Sequence, residues 1–177
     1  KQDFYLGFGR LVPQKRFDLL IDTFKKMPHQ RLVIAGTGRK EQELKHCARD
    51  VPNVEFRGFV PDRDVPKLMG QAKALLFPQL EDAGITALEA LAAGTPVIAY
   101  GKGGVTTTLQ DGKTGVFFAE QTPFVLEKAI HQFEQLEPKL KRAQLAKHAQ
   151  QFAIAKFDAQ LQQVVEREWE DFSTRKA

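Results

Sequence analysis

Cysteine occurs once, at Cys47, so no internal disulfide can form. With no second thiol to pair, the chain is expected in a reducing compartment, which is the cytoplasm or the inner face of the cytoplasmic membrane. Histidine is scarce, and His29, His46, His131 and His148 lack metal-ligand spacing. No apolar run approaches the roughly 20 residues a spanning helix needs, and no signal-peptide pattern precedes the first predicted strand. Internal repeats and low-complexity linkers are absent as well. What is present is ordinary for a globular domain: 42% hydrophobic and 27% charged residues, which argues against disorder. A length of 177 residues suits one domain, and folding at this size buries about 70% of the unfolded surface. The chain opens on Lys1 and enters a strand-like run almost at once, so an upstream domain is expected outside it. The net charge of +4 suits anionic ligands or an anionic membrane surface, and equally an ordinary solvated basic surface.

Short β-branched or aromatic runs alternate with helical patterns. Strands are predicted at Phe4–Gly7, Arg31–Ala35, Val54–Arg57, Ala74–Phe77, Pro96–Ala99 and Gly115–Phe118. Phe17, Leu20, Ile21, Phe24 and Met27 fall at helical spacing between the first two. Thr122-Pro123 reads as an N-cap with proline at the first helical position, followed by the stripe Leu126, Ala129, Ile130 and Phe133. This alternation predicts an α/β fold: a Rossmann-like, doubly wound parallel sheet with helices on both faces. From Pro138 onward the chain is helical and rich in Gln and Lys. Its last helix carries the stripe Phe157, Leu161, Val164, Val165, Trp169 and Phe172. Packing on this domain is the usual fate of such a stripe, and docking on the absent domain is the alternative.

In an open parallel sheet, ligands bind beyond the carboxyl ends of the strands. The segments that follow the predicted strands are Gly9-Arg10-Leu11-Val12-Pro13-Gln14-Lys15, Gly36-Thr37-Gly38, Pro78 to Gly84, and Tyr100-Gly101-Lys102-Gly103-Gly104. Glycines allow close backbone approach, and Arg10 and Lys15 can neutralise phosphate oxygens. A helix predicted to begin near Gly84 adds free backbone N–H groups and the positive end of its dipole.

The strings "GRLVPQK", "VIAGTG", "EDAGITALEALAAGTPVIAYGKGG" and "DGKTGVFF" occur in that order. They resemble the C-terminal domain of the family 4 retaining glycosyltransferases, two-domain enzymes of the GT-B fold. Glu81 and Glu89, separated by seven residues, match that family's paired-glutamate motif. "AYGKGG" and "FAIAKF" are most similar to bacterial mannosyltransferases of O-antigen and exopolysaccharide assembly. The resemblance implies retaining transfer from a nucleotide-diphosphate sugar, with GDP-mannose expected and no metal or other cofactor required. The acceptor, a saccharide or lipid-linked saccharide, would be held by the absent N-terminal domain, so this domain alone is expected to be inactive. Peripheral membrane association is a further expectation, and nucleic acid is not an expected partner.

By the same resemblance Arg10 and Lys15 would hold the diphosphate, Glu81 the hydroxyls of the donor sugar, and Glu89 the ribose. Glu81, Arg10 and Lys15 form the implied catalytic set. Gly9, Gly36, Gly38, Phe59, Gly84, Ile85 and Thr86 would complete the donor site, with the base near Gly36-Thr37-Gly38 and Phe59. Two positions depart from the family pattern: Ala83 stands where an aromatic commonly precedes Gly84, and Thr107 where an acid often follows Gly104.

Other readings compete at individual residues. Thr86-Ala87-Leu88-Glu89 also spells a capping box, which would occupy Glu89 unless the helix starts earlier. Asp62-Arg63-Asp64 has a metal-binding D-x-D form, but it precedes a helix predicted at Val65–Ala72, where aspartate is expected as the cap. Lys102 is expected to be a surface lysine. For the whole domain, the alternatives are a diverged non-catalytic assembly domain or a two-domain epimerase or phosphorylase.

Overall fold

The computed structural model describes residues 2–174. Six strands form one parallel sheet: β1 (Tyr5–Phe8), β2 (Leu32–Ala35), β3 (Val54–Gly58), β4 (Ala74–Phe77), β5 (Val97–Tyr100) and β6 (Gly115–Phe118). Their order is β3-β2-β1-β4-β5-β6, the doubly wound Rossmann-like arrangement, so the predicted fold class holds. All six predicted strands are present, each end within a residue of its expected place. The central strands are buried on both faces, which is why "YLGF", "LVIA" and "ALLF" read as continuous apolar runs rather than alternating ones.

Period-two alternation divides each strand between two cores. Tyr5, Leu32, Ile34, Leu76, Ile98 and Phe118 face one side, which is covered by α1 (Phe17–Phe24), α2 (Glu41–Cys47) and α6 (Pro123–Leu136). Leu6, Val33, Ala35, Leu75, Phe77 and Val97 face the other, covered by α3 (Val65–Gln71), α4 (Ile85–Ala92), the short α5 (Val105–Thr108) and α7 (Arg142–Ala149). The Thr122 cap is made as expected: its side chain accepts from the Val125 N–H, with Pro123 opening α6 and Leu126, Ala129, Ile130 and Phe133 buried beneath. Arg142, at the start of α7, donates to the Gly70 and Ala93 carbonyls, at 2.8 and 2.9 Å, and so ties α7 to the ends of α3 and α4.

The final helix, α8 (Ile154–Thr174), corrects one expectation. Its apolar stripe does not pack on this domain; Phe157, Leu161, Val165 and Trp169 are all solvent-exposed. Both sheet faces are already covered by α1, α6, α3, α4 and α7.

Candidate functional site

The strand order reverses between β1 and β4, and the loops that leave those two strands flank the crevice there. The β1 loop runs through a 3-10 turn, Pro13–Lys15, which ends on Arg16 in the left-handed region (φ 53, ψ 39). Arg16 is the one non-glycine residue at positive φ among the described residues, a conformation that costs of order 1 kcal/mol or more. It turns the chain from the 3-10 segment into α1 and leaves Lys15 at the crevice. There the Lys15 ammonium pairs with the Glu81 carboxylate on the β4 loop, both side chains largely shielded from solvent. Burial first, and then the Arg10 charge, lower the Lys15 pKa.

Glu81 is held from below. Its carbonyl accepts from the Gly104 N–H at 2.8 Å, and the β5 loop packs so tightly here that a Cβ on Gly104 would lie 1.8 Å from the Asp82 carbonyl oxygen. The same β4 loop then enters α4 through its N-cap, Gly84, whose left-handed backbone (φ 69, ψ 38) favours glycine. Ile85 and Thr86 therefore start the helix, and their N–H groups have no acceptor within it. Leu80 to Thr86 line a cavity of about 370 Å³, with Ile85 65% exposed beside it. Two cations, a carboxylate and a helix N-terminus thus meet at one opening, an arrangement suited to a phosphate group carrying a hydroxylated substituent.

With Gly84 as N-cap, Glu89 stands five residues into α4 and the Thr86–Glu89 capping box does not form. Glu89 instead lines a second cavity of about 280 Å³ with Phe8, Asp62, Val65, Pro66 and Met69. Desolvation first, and then the Asp62 charge, raise its carboxyl pKa. Phe59, 70% exposed, sits on the β3 loop just before Asp62.

Asp62 and Asp64 correct another expectation. Asp64 occupies the N-cap position of α3, yet its side chain caps nothing. Its backbone is in the helical region (φ -97, ψ -15), whereas a capping side chain needs an extended one, and Pro66 removes a donor it would have bonded. Gly36 and Gly38 have a role the sequence did not reveal. A Cβ on Gly36 would fall 1.9 Å from the Gly9 carbonyl oxygen, and one on Gly38 2.4 Å from that of Leu11. These glycines let the β1 and β2 loops pack backbone to backbone, and so they build one wall of the crevice. Lys102 lies over the Tyr100 ring, 5.6 Å from its centroid. Thr107 bonds the Gly104 carbonyl at 2.8 Å.

Known proteins share sequence and fold with this chain. Mannosylfructose-phosphate synthase of Agrobacterium fabrum is 34% identical over 128 residues, covering 63% of this chain and 28% of that protein. A GDP-mannose-dependent alpha-(1-6)-phosphatidylinositol monomannoside mannosyltransferase of Mycolicibacterium smegmatis is 34% identical over 122 residues, covering 60% of this chain and 32% of its own length. Among solved structures, Anabaena Alr3699/HepE in complex with UDP-glucose superposes with a TM-score of 0.75 at 26% identity, over 96% of this chain and 49% of that one. The chain therefore spans about a third of these curated relatives and half of the solved structure. The family model described as "Glycosyl transferases group 1" matches residues 1–152, and the chain belongs to that family.

Proposed function

We propose that this chain binds a nucleotide-diphosphate sugar across the β1/β4 crevice, as the donor half of a retaining glycosyltransferase. The observation that carries this reading is the Lys15–Glu81 pair, which bridges the crevice at the sheet's switch point beside the start of α4. When the donor arrives, its diphosphate takes Lys15 and Arg10, and Glu81 is released from the ammonium to accept from hydroxyls of the sugar. As the bond between the anomeric carbon and the leaving oxygen breaks, negative charge gathers on the diphosphate. Arg10, Lys15 and the Ile85 and Thr86 N–H groups, fixed beforehand, stabilise that charge, so the reading needs no divalent metal. Glu89 takes the ribose hydroxyls, and Phe59 offers an apolar face to the base. Gly9 and Gly84 let backbone approach the phosphates closely.

The donor in this reading is GDP-mannose, passed to a saccharide or lipid-linked saccharide bound by a further domain. Support comes from the strings shared with bacterial mannosyltransferases and from a relative whose name specifies GDP-mannose. A uridine nucleotide is the second reading, because the superposed HepE structures contain UDP and UDP-glucose. A competition titration of GDP, UDP and ADP, with and without EDTA, decides between them. Tighter GDP binding that survives EDTA is expected. Preference for UDP would transfer the assignment to a UDP-sugar, and loss of all binding in EDTA would refute the charge argument and restore Asp62 and Asp64 as candidate metal ligands.

A further inference from the structure

A second cavity, of about 460 Å³, lies at the opposite end of the sheet from the crevice. The turn that leads into β6 forms one side of it, and the end of α6 with the start and end of α7 forms the rest. Lys113, Lys139 and Lys147 line it together with His148 and the amides of Gln144 and Gln151. The crevice cavity holds Glu81 and Asp82, and the Glu89 cavity holds Asp62, whereas no carboxylate lines this one.

The missing counter-charge has a structural cause. The carboxylates nearest in sequence are committed to other groups. Asp111 accepts from the Phe117 N–H at 2.9 Å, and Glu137 reaches Lys73, 4.0 Å away. Among the described residues no carboxylate lies within ion-pair distance of Lys113, Lys139 or Lys147. Lys147 in the last turn of α7 and Lys139 just beyond α6 also complement helix C-termini, which is an ordinary reason for lysine at those two places. That reason does not extend to Lys113, which sits on the Asp111-Gly112 turn before a strand. Nor does it account for three exposed lysines lining one concave surface. His148 is fixed in the wall by its Nε2, which meets the Thr108 carbonyl at 2.7 Å.

We infer that this cavity is a second anion site, one that takes a phosphate group. Lysine binds phosphate as a point charge, and three such charges beside two amide donors match a multiply charged anion with several acceptor oxygens. A phosphate of this kind is supplied either by the headgroup of an anionic lipid or by a free small ion. The inference does not depend on the nucleotide reading, since none of these residues borders the crevice.

The test uses the 177-residue chain and two probes, inorganic phosphate and phosphatidylglycerol vesicles, with phosphatidylcholine vesicles as the neutral reference. One variant combines Lys113→Gln, Lys139→Gln and Lys147→Gln. A control combines Lys26→Gln, Lys128→Gln and Lys156→Gln, which removes the same charge from exposed positions elsewhere. Amide chemical shifts report phosphate binding and sedimentation reports vesicle binding. Saturable shifts at Lys113, Thr114 and Lys139 are expected, lost in the cavity variant and kept in the control. If the lipid headgroup is the source, phosphatidylglycerol affinity falls about tenfold or more in the cavity variant alone. If free phosphate is the source, the amide shifts still distinguish the variants while vesicle binding does not. Equal behaviour of the two variants toward both probes would overturn the inference and leave only a diffuse basic surface. The single Lys113→Gln change, on an exposed turn, repeats the amide test without disturbing either helix; unchanged shifts there would also overturn it.

Discussion

The two ends of this sheet carry similar charged residues and use them in opposite ways. At the amino end, Glu134 is surrounded by donors. Lys73 reaches it at 3.1 Å, Gln30 at 2.7 Å and the Tyr5 hydroxyl at 3.3 Å, and His131 stands at 3.4 Å. Burial alone would raise the Glu134 pKa, but the Lys73 hydrogen bond and charge, with help from His131 and Tyr5, outweigh it and lower the value. The Tyr5 phenol is pushed far up, by desolvation first and then by the Glu134 charge, so it stays a neutral donor. At the carboxyl end, Glu81 has one cation and Glu89 has a second carboxylate for a neighbour. Glu134 joins strands and a helix that are far apart in the chain, and its partners are satisfied within the fold. The rim's carboxylates are left with capacity for something that arrives from outside.

Substitutions can break that comparison. The largest effect is expected at Lys15: Lys15→Ala removes a charge-assisted contact worth roughly 1.5 to 3 kcal/mol, so nucleoside-diphosphate affinity should fall about tenfold or more. Thermal stability should change less than in a Glu134 variant, since Lys15 makes one side-chain contact where Glu134 makes four. Calorimetry and a melting curve check the two halves, and a melting temperature that fell with unchanged affinity would make Lys15 a structural residue.

Glu134→Ala should do the reverse. It leaves the buried Tyr5 hydroxyl short of an acceptor and takes one carboxylate from Lys73, a loss of about 1 to 3 kcal/mol of stability with nucleotide affinity unchanged. A smaller effect is the pH dependence of the same residue. Because its folded pKa lies below the unfolded one, its contribution is present above the ordinary glutamate range and is lost as pH falls through the folded value. Denaturant titrations from neutral to acid pH should therefore show an acid limb that Glu134→Gln flattens. An identical limb in the variant would assign the acid sensitivity to other carboxylates.

The smallest stability change is expected at Glu89, and it is opposite in sign. Its raised pKa means that the charged form is disfavoured in the folded state at neutral pH. Glu89→Gln should raise the melting temperature slightly and weaken nucleotide binding, the signature of a residue kept for function at some cost in stability. A lower melting temperature with unaltered affinity would show that Glu89 supports the helix instead.

The amino-end network was invisible in the sequence, and the reason is distance along the chain. Tyr5 and Glu134 are 129 residues apart, and neither belongs to a local pattern that announces a polar cluster. Strands were legible because a parallel sheet buried on both faces writes itself as short unbroken apolar runs. The α6 cap was legible because Thr122 and Pro123 act on their immediate neighbours. Lys15 was legible from its place after the first strand and Glu81 from family resemblance; their meeting depends on the strand order that sets β1 beside β4. Arg16 gave no sign of its left-handed conformation, since glycine or asparagine is the usual resident there. The stripe on α8 was read correctly as amphipathic, but whether it packs depended on how much of the sheet the other helices had already covered. Lys139 and Lys147 fall in the segment rich in Gln and Lys and Lys113 in the string "DGKTGVFF", and neither pattern indicates that the three line one cavity.

Hydrogen exchange of the whole chain, with and without GDP, tests the central claim most directly. The account predicts that nucleotide slows exchange in two segments far apart in sequence, Gly9 to Lys15 and Leu80 to Ala92. The segment from His131 to Glu137 at the amino end should exchange as before. Protection confined to that amino-end segment, or to neither of the two crevice loops, would contradict the placement of the donor site at the β1/β4 crevice.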